Sequence, residues 1–414
     1  MGELGVSVQG KNGKNFFSRL KDTILADHIL LSAFIGLIIL GTLAQYSANY
    51  PDNMKVFIRH IVYLIISLSI FLIAITIPLK LYFALSPILY SFCLFLLFLL
   101  LFKGSGVKRW IEIGNFQFQP SEIAKLSIIL ISGRIISLKN LKKEIIITGI
   151  LTLVFASLVV IQPDLGTAVV ISLIFAGIIF STGIDIFTYF LIISPFVCII
   201  SSFHILSAVI FFIILSFALY FSRINIGASL LILFLNIFIG SLTPILLHLL
   251  KPYQRERLLI FLNPYKDPSG SGWHILQSKI SIGSGGIIGK GFLKGTLKSL
   301  KFIPMKNTDF IFSVIGEEFG FLGTLLTFTL FFILLYRLLT IIYTSKGNFS
   351  KIISSGIFFY FFTHSFINMG MCLGILPVVG LPLPFISYGG TNLLISTILI
   401  GIALNIRKNI YEYF

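Results

Sequence analysis

Charge is scarce in this chain. Only 11% of its 414 residues are Asp, Glu, Lys or Arg, against about 25% in an ordinary soluble domain. Acids are scarcer still, at 15 in all. So little charge excludes a disordered, solvated chain. Cysteine is rare too: Cys93, Cys198 and Cys372 lie scattered in or beside apolar runs, which gives neither a disulfide framework nor a metal-ligand spacing. The six histidines form no HExxH pattern, and no GxxxxGK[ST] or dinucleotide-binding glycine spacing occurs. Metal and nucleotide sites therefore have no motif to rest on.

Apolar residues are abundant instead. They make up 57% of the chain, with 43 Phe among them, and the mean hydropathy is +1.01. The surface-to-volume ratio of a soluble domain cannot hide that much apolar surface. The chain is an all-α, polytopic membrane helix bundle. The formal charge of +16 would point to nucleic acid in a soluble protein; here the basic residues sit between apolar runs, where they orient helices or meet anionic lipid, and no nucleic-acid partner is expected.

A bilayer core of about 30 Å needs roughly 20 apolar residues per helix. Runs of that kind lie near 29–47, 57–77, 81–102, 121–138, 145–161, 167–183, 186–203, 205–221, 224–250, 309–342, 352–370 and 391–406, twelve in all. The polar start with Lys11, Lys14, Arg19 and Lys21 is longer than a signal-peptide n-region and reads as a cytoplasmic tail over 1–28 before a retained helix. Threading the spans from an inside N-terminus puts Lys80, Lys139, Lys142, Lys143, Arg223, Lys346, Lys351, Arg407 and Lys408 all inside, as the positive-inside rule asks. Both termini are then cytoplasmic, with 407–414 as the second tail. The helices divide into 29–250 and 309–406, and between them residues 251–308 form a large extracytoplasmic loop of net charge +8. A long loop escapes the positive-inside rule. Its charge suits either anionic headgroups or a polyanionic substrate at the outer face.

With so few acids, all but Glu256 in the 251–308 loop fall into two sets. Glu3, Asp22, Asp27, Asp52, Glu144, Asp185 and Glu412 stand in tails or at helix ends, where water is expected to reach them. Glu112, Glu122, Asp164, Asp267, Asp309, Glu317 and Glu318 cluster in or beside spans, where a carboxylate faces a cavity or an ion-pair partner. Glu122 and Lys125 share a helix face at i,i+3, on a helix that Pro120 opens and that Gln119 or Ser121 could cap. QPDLGT (162–167) interrupts apolar sequence between two spans. The 251–308 loop is dense in glycine, which lets backbone N–H groups approach phosphates. Pro377, Pro382 and Pro384 rule against a continuous helix over 368–392; a broken segment packed inside the bundle is expected.

Five stretches, GVKRWIEIGNFQFQPSEIAK, QPDLGTA, YQRERLLIFLNPYKDPSGSGWHILQSKISIGSGGIIGKG, TDFIFSVIGEEFGFLG and GILPVVGLPLPFISYGG, together resemble the RodA/FtsW (SEDS) family of bacterial membrane glycosyltransferases. They follow the family's order from the fourth span to the C-terminus, and their wording is closer to the rod-shape (RodA) branch than to the division (FtsW) branch. Two departures stand out. The family has ten spans, so this chain carries about two extra between Gly166 and Gln254. The family's Glu and His before its TDF are replaced here by Met305 and Asn307.

The resemblance implies an inverting peptidoglycan glycosyltransferase that polymerises lipid II into β-1,4-linked glycan on the outer face of the bacterial cytoplasmic (inner) membrane, releasing undecaprenyl pyrophosphate, for lateral wall elongation and cell shape. It implies a class B penicillin-binding protein and elongation-complex membrane proteins as partners. Asp267 matches the family's essential Asp and is assigned the catalytic base role, with binding of a divalent cation as the alternative to it; no further cofactor is expected. Arg255, Arg257, Lys279 and Lys290 suit the phosphates. Glu122, Lys125, Arg109, Trp110, Gln277 and Ser387 stand in the matching stretches as further substrate-binding positions. A lipid II flippase or transporter is the alternative reading, because intramembrane carboxylates and broken helices suit it equally. A scaffold for wall enzymes is the third.

Overall fold

The computed structural model describes residues 26–102, 109–114, 116–137, 141–202, 205–222, 224–249, 272–296 and 307–410. Arg255, Arg257 and Asp267 lie outside the described residues. Among those described, the chain forms thirteen helices and one small hairpin. The order is α1 (His28–Asn49), α2 (Met54–Thr76), α3 (Leu79–Leu101), the hairpin β1 (Ile111–Ile113) and β2 (Phe116–Phe118), then α4 (Pro120–Ile136), α5 (Leu141–Ile161), α6 (Leu165–Ser181), α7 (Ile186–Ser201), α8 (Ile205–Phe221), α9 (Ile226–Leu249), α10 (Trp273–Ser284), α11 (Ile311–Thr344), α12 (Asn348–Cys372) and α13 (Gly390–Lys408). Each of the twelve apolar runs is thus a helix, with ends moved by about one turn or less. Eight helices are long and apolar enough to cross a membrane, and α6, α7 and α8 are shorter apolar helices.

Three apolar cores hold the bundle. The largest joins α1, α2, α4, α6, α11, α12 and α13 through residues such as Leu37, Phe34, Ile129, Ile174, Phe312, Tyr360, Phe385 and Leu399. A second joins α3 to α4, α5 and α6, where the rings of Tyr90 and Phe155 stack at 4.3 Å. The third is separate: α7, α8 and α9 pack on one another through Leu191, Cys198, Phe211, Leu215 and Ala218. Inside it Asn236 donates to Ser194 Oγ at 3.0 Å. This satellite occupies the interval in which two extra spans are expected.

Two polar sets mark the ends of the bundle. At the end where α1 begins, Asp27 accepts from Leu30 N at 2.9 Å and caps the helix. Arg337 grips the same carboxylate with Nε at 3.0 Å and Nη2 at 2.8 Å. Arg407 Nε lies 3.9 Å from it and donates through Nη1 to Thr344 Oγ1 at 2.9 Å. Asp27 is therefore buried, not water-exposed as its place beside the tail implied: two arginines from α11 and α13 replace the solvent. The other end, the loop end, carries the hairpin, α10 and the broken segment.

The helix α11 is broken at Gly320, whose φ of 63° and ψ of −154° no other residue adopts easily. The break frees main-chain groups, and in a membrane these must be paired internally. The glycine-rich turn after α10 pairs them. Lys290 N and Gly291 N donate to the carbonyls of Glu317 and Glu318 at 3.0 Å each, while Phe321 N and Leu322 N donate to Gly286 O at 2.8 Å and Ile287 O at 3.1 Å. The approach is close enough that a Cβ on Gly285 would lie 2.0 Å from Gly316 O, and one on Gly289 would lie 2.2 Å from Glu318 O. Here the glycines of the turn let two stretches of backbone meet.

Candidate functional site

Most of the residues singled out by sequence that are described converge on the loop end. The first group is wholly buried. Pro120 sits at the first turn of α4, so Glu122 and Lys125 come one turn apart, and Lys125 Nζ meets Glu122 Oε1 at 2.6 Å. Lys125 is 0% exposed. Its ammonium also lies 2.9 Å from His364 Nε2, on α12. The other ring nitrogen, Nδ1, stands 3.1 Å from the carbonyl of Pro382. A carbonyl only accepts, so Nδ1 carries the proton and Nε2 accepts from Lys125. On the far side Asn392 donates to Glu122 Oε2 at 3.1 Å and to Tyr360 Oη at 3.2 Å, and Tyr360 Oη lies 2.9 Å from Ser396 Oγ. The network links α4, α12, α13 and the broken segment. Each charge has an opposite charge or a dipole beside it, which is what keeps an ion pair tolerable in a low dielectric.

The segment between α12 and α13 is the non-helical stretch expected from its prolines. Side-chain amides and a hydroxyl hold its backbone. Gln45 Nε2 donates to Ile386 O at 2.9 Å and to Asn307 O at 2.8 Å. Asn368 Nδ2 donates to Leu381 O at 2.6 Å and to Asp309 O at 2.9 Å. Ser387 Oγ accepts from Leu383 N at 2.7 Å and donates to Thr308 O at 2.6 Å. Ser387 is thus spent on main chain, accepting within its own turn and tying that turn to the residues before α11.

Around this floor stands a rim. Gln119 occupies the cap position of α4, yet its side chain does not cap; Nε2 donates to Asp164 Oδ2 at 2.9 Å. Asp164 caps α6 through Thr167 N. Arg109 holds the same break from outside, donating through Nε to Gln162 O at 3.2 Å and through Nη2 to Pro163 O. Trp110 follows it, half-buried. The hairpin carries Glu112 opposite Gln117; Gln117 N donates to Tyr63 Oη at 3.2 Å.

The cations differ in what they face. Lys290 Nζ pairs with Glu317 Oε1 at 2.7 Å and keeps 29% of its side chain exposed. Glu317 Oε1 also accepts from Thr296 N at 2.8 Å. Lys279, on α10, is exposed, and its chain end lies over Gly374: a Cβ there would fall 2.0 Å from Lys279 Cε. That places its ammonium near the C-terminal end of α12, where the helix dipole favours positive charge. Gln277 lies two residues before it on the same short helix and is half-buried. Glu318 is buried, accepting from Ser47 Oγ at 2.5 Å through Oε1, while its Oε2 has no partner among the described residues.

Sequence reasoning missed His364, Tyr360, Asn392 and Asn368 as partners of the buried pair and the broken segment. One signal was available: Tyr360, His364 and Asn368 recur at i, i+4 and i+8 along an apolar run, which puts three polar groups on one helix face. Among the described residues no group of three or more His, Cys, Asp or Glu side chains stands close enough to hold a metal ion.

The FtsW/RodA/SpoVE family profile, described as cell cycle protein, matches residues 22–207 and 191–412. The peptidoglycan glycosyltransferase MrdB of Escherichia coli K12 is 34% identical over 405 residues, covering 96% of each chain. The peptidoglycan glycosyltransferase RodA of Treponema pallidum is 31% identical, covering 92% of this chain and 97% of its own. Among solved structures, a chain from a peptidoglycan synthase complex that coordinates polymerization and crosslinking superposes with a TM-score of 0.69 at 26% identity, over 92% of this chain and 98% of that one.

Proposed function

Because the chain belongs to the FtsW/RodA/SpoVE family, we propose that it is a peptidoglycan glycosyltransferase that polymerises lipid II into β-1,4-linked glycan strands for lateral wall elongation. The observation that carries this reading is the match to MrdB along 96% of both chains. It is an inner-membrane, multi-pass enzyme; helices α1–α9 and α11–α13, the shorter α4, α6, α7 and α8 among them, cross the bilayer, and the loop end faces outward. Its donor is a glycan chain on undecaprenyl pyrophosphate, and its acceptor is the 4-hydroxyl of another lipid II. Displacement of the α-linked pyrophosphate inverts the anomeric centre.

The chemistry asks for a base beside the acceptor hydroxyl and positive charge beside the leaving pyrophosphate. Asp267 is proposed as the base, binding of a divalent cation being the alternative role. Arg255, Arg257 and Lys279 are proposed for the phosphates, and Lys290 joins them only by sharing its charge with Glu317. Glu122 and Lys125 are fully enclosed, so their part is to hold α4, α12 and α13 in register beneath the site. Arg109 acts in the same way on the 162–164 break, and Ser387 on the segment after Pro377. The partner is a class B penicillin-binding protein that crosslinks the new strands; the similarity to a chain from a polymerising and crosslinking complex supports this.

The test is lipid II polymerisation in detergent by wild type and Asp267→Asn, with a transpeptidase-dead partner present. Glycan ladders from wild type alone are expected. Ladders from both would remove Asp267 as the base. No ladder from folded wild type, together with lipid II movement in proteoliposomes, would favour the flippase reading.

A further inference from the structure

Residues 272–296 carry Lys279, Lys290 and Lys294 and no acid at all. The same stretch presents bare apolar surface. Ile287 is 70% exposed and Ile288 78%, and Ile280 and Phe292 are exposed beside them. Gly286 and Gly289 flank the two isoleucines at φ of 58° and 89°, so the turn projects Ile287 and Ile288 at its tip. In water such a tip would be a liability.

Its neighbours say what covers it. The bonds from Phe321 N to Gly286 O and from Leu322 N to Ile287 O fix the tip beside the start of the second part of α11. From there an exposed apolar stripe runs along α11: Phe321, Leu325, Phe328, Phe332, Tyr336, Leu339 and Tyr343. The spacing of three and four residues keeps it on one face. In a chain that spans a membrane, that face meets lipid. The tip of the turn therefore continues a lipid-facing surface past the break at Gly320, to the level where headgroups begin.

Charge completes the picture. Lys290 is engaged by Glu317, whereas Lys279 and Lys294 are exposed and form no ion pair among the described residues. We propose that residues 279–294 form an interfacial wedge: Ile287 and Ile288 insert into the leaflet at the loop end, and Lys279 and Lys294 bind the phosphodiester headgroups of anionic phospholipid. The apolar pair supplies depth and the lysines supply headgroup preference. The inference holds whatever reaction the enzyme catalyses.

The three native cysteines are buried, so Ile288→Cys offers a single reactive position for an environment-sensitive fluorophore on the full chain. The labelled protein is placed in nanodiscs of phosphatidylcholine, with and without phosphatidylglycerol and with brominated acyl chains. Insertion predicts blue-shifted emission that bromine quenches. Water-like, unquenched emission overturns it, as does a blue shift that arises only when another protein is added. Each lysine near an anionic surface contributes about fivefold in affinity, so Lys279→Gln with Lys294→Gln predicts a loss of roughly 25-fold in preference for phosphatidylglycerol over phosphatidylcholine, read from co-purified lipid. An unchanged preference in a monodisperse, folded variant overturns the headgroup contact.

Discussion

Lys125 and His364 meet at 2.9 Å in the middle of the bundle, a cation donating to a neutral imidazole, with Glu122 2.6 Å away on the other side of the ammonium. The pair joins two helices 239 positions apart in sequence. His364 in turn fastens the carbonyl of Pro382, so one ammonium anchors both a helix contact and the broken segment.

Removing one partner of that pair leaves a buried charge uncompensated. Glu122→Gln is expected to destabilise the protein by about 3–5 kcal/mol, seen as a lowered melting temperature in detergent. His364→Leu should cost less, about 1–3 kcal/mol for the lost acceptor and the unpaired carbonyl, and His364→Gln should recover part of it. Equal melting temperatures for His364→Leu and wild type would show that the contact adds nothing.

The joint at Gly320 makes a paired prediction. A Cβ at Gly285 would strike Gly316 O, whereas Gly283 has open space around it. Gly285→Ala should therefore lower both stability and polymer yield. Gly283→Ala, near the end of α10, should be neutral or stabilise by about 0.5–1 kcal/mol. Parallel thermal unfolding of the two variants, followed by a glycan ladder assay, tests the contrast.

At the opposite end, Arg337 holds Asp27 with two donors. Lysine cannot reproduce that fork, so Arg337→Lys should lose a substantial part of what Arg337→Gln loses. Arg407 approaches only to 3.9 Å, and Arg407→Gln should lose less than either. The ranking of three melting temperatures is the measurement.

In the satellite, Asn236 reaches Ser194. Hydrogen bonds between membrane helices average about 0.6 kcal/mol, so Asn236→Leu should move global stability by less than about 1 kcal/mol. Polymer yield should not change. Limited proteolysis between α7 and α9 would reveal any local loosening.

The helices were legible because lipid imposes one strong requirement, a run of apolar residues long enough to cross, and each of the twelve runs proved to be a helix. The Glu122–Lys125 pair was legible for the same local reason, two charges one turn apart. Asp27 was not: its arginines stand 310 and 380 positions along the chain, a distance no local pattern reports. Nor was the break in α11. Gly320 sits in an apolar run like several other glycines, and what makes it a break is the backbone of a turn far away. Ser387 and Arg109 stood in the right neighbourhood, but their donors go to carbonyls of this same chain. Arg255, Arg257 and Asp267 lie outside the described residues.

The joint between the glycine turn and the GEEFG stretch is made of main chain against main chain, and every amino acid but proline offers the same donor and acceptor there. Such a contact is indifferent to which side chains surround it and intolerant of any at the points of closest approach. Saturation mutagenesis should see it as a sharp contrast between neighbouring columns: Gly285 and Gly289 refuse nearly everything, while Ile287 and Ile288, between them, accept other apolar residues. A part of the enzyme that fixes its shape is thereby recorded in what its sequence omits.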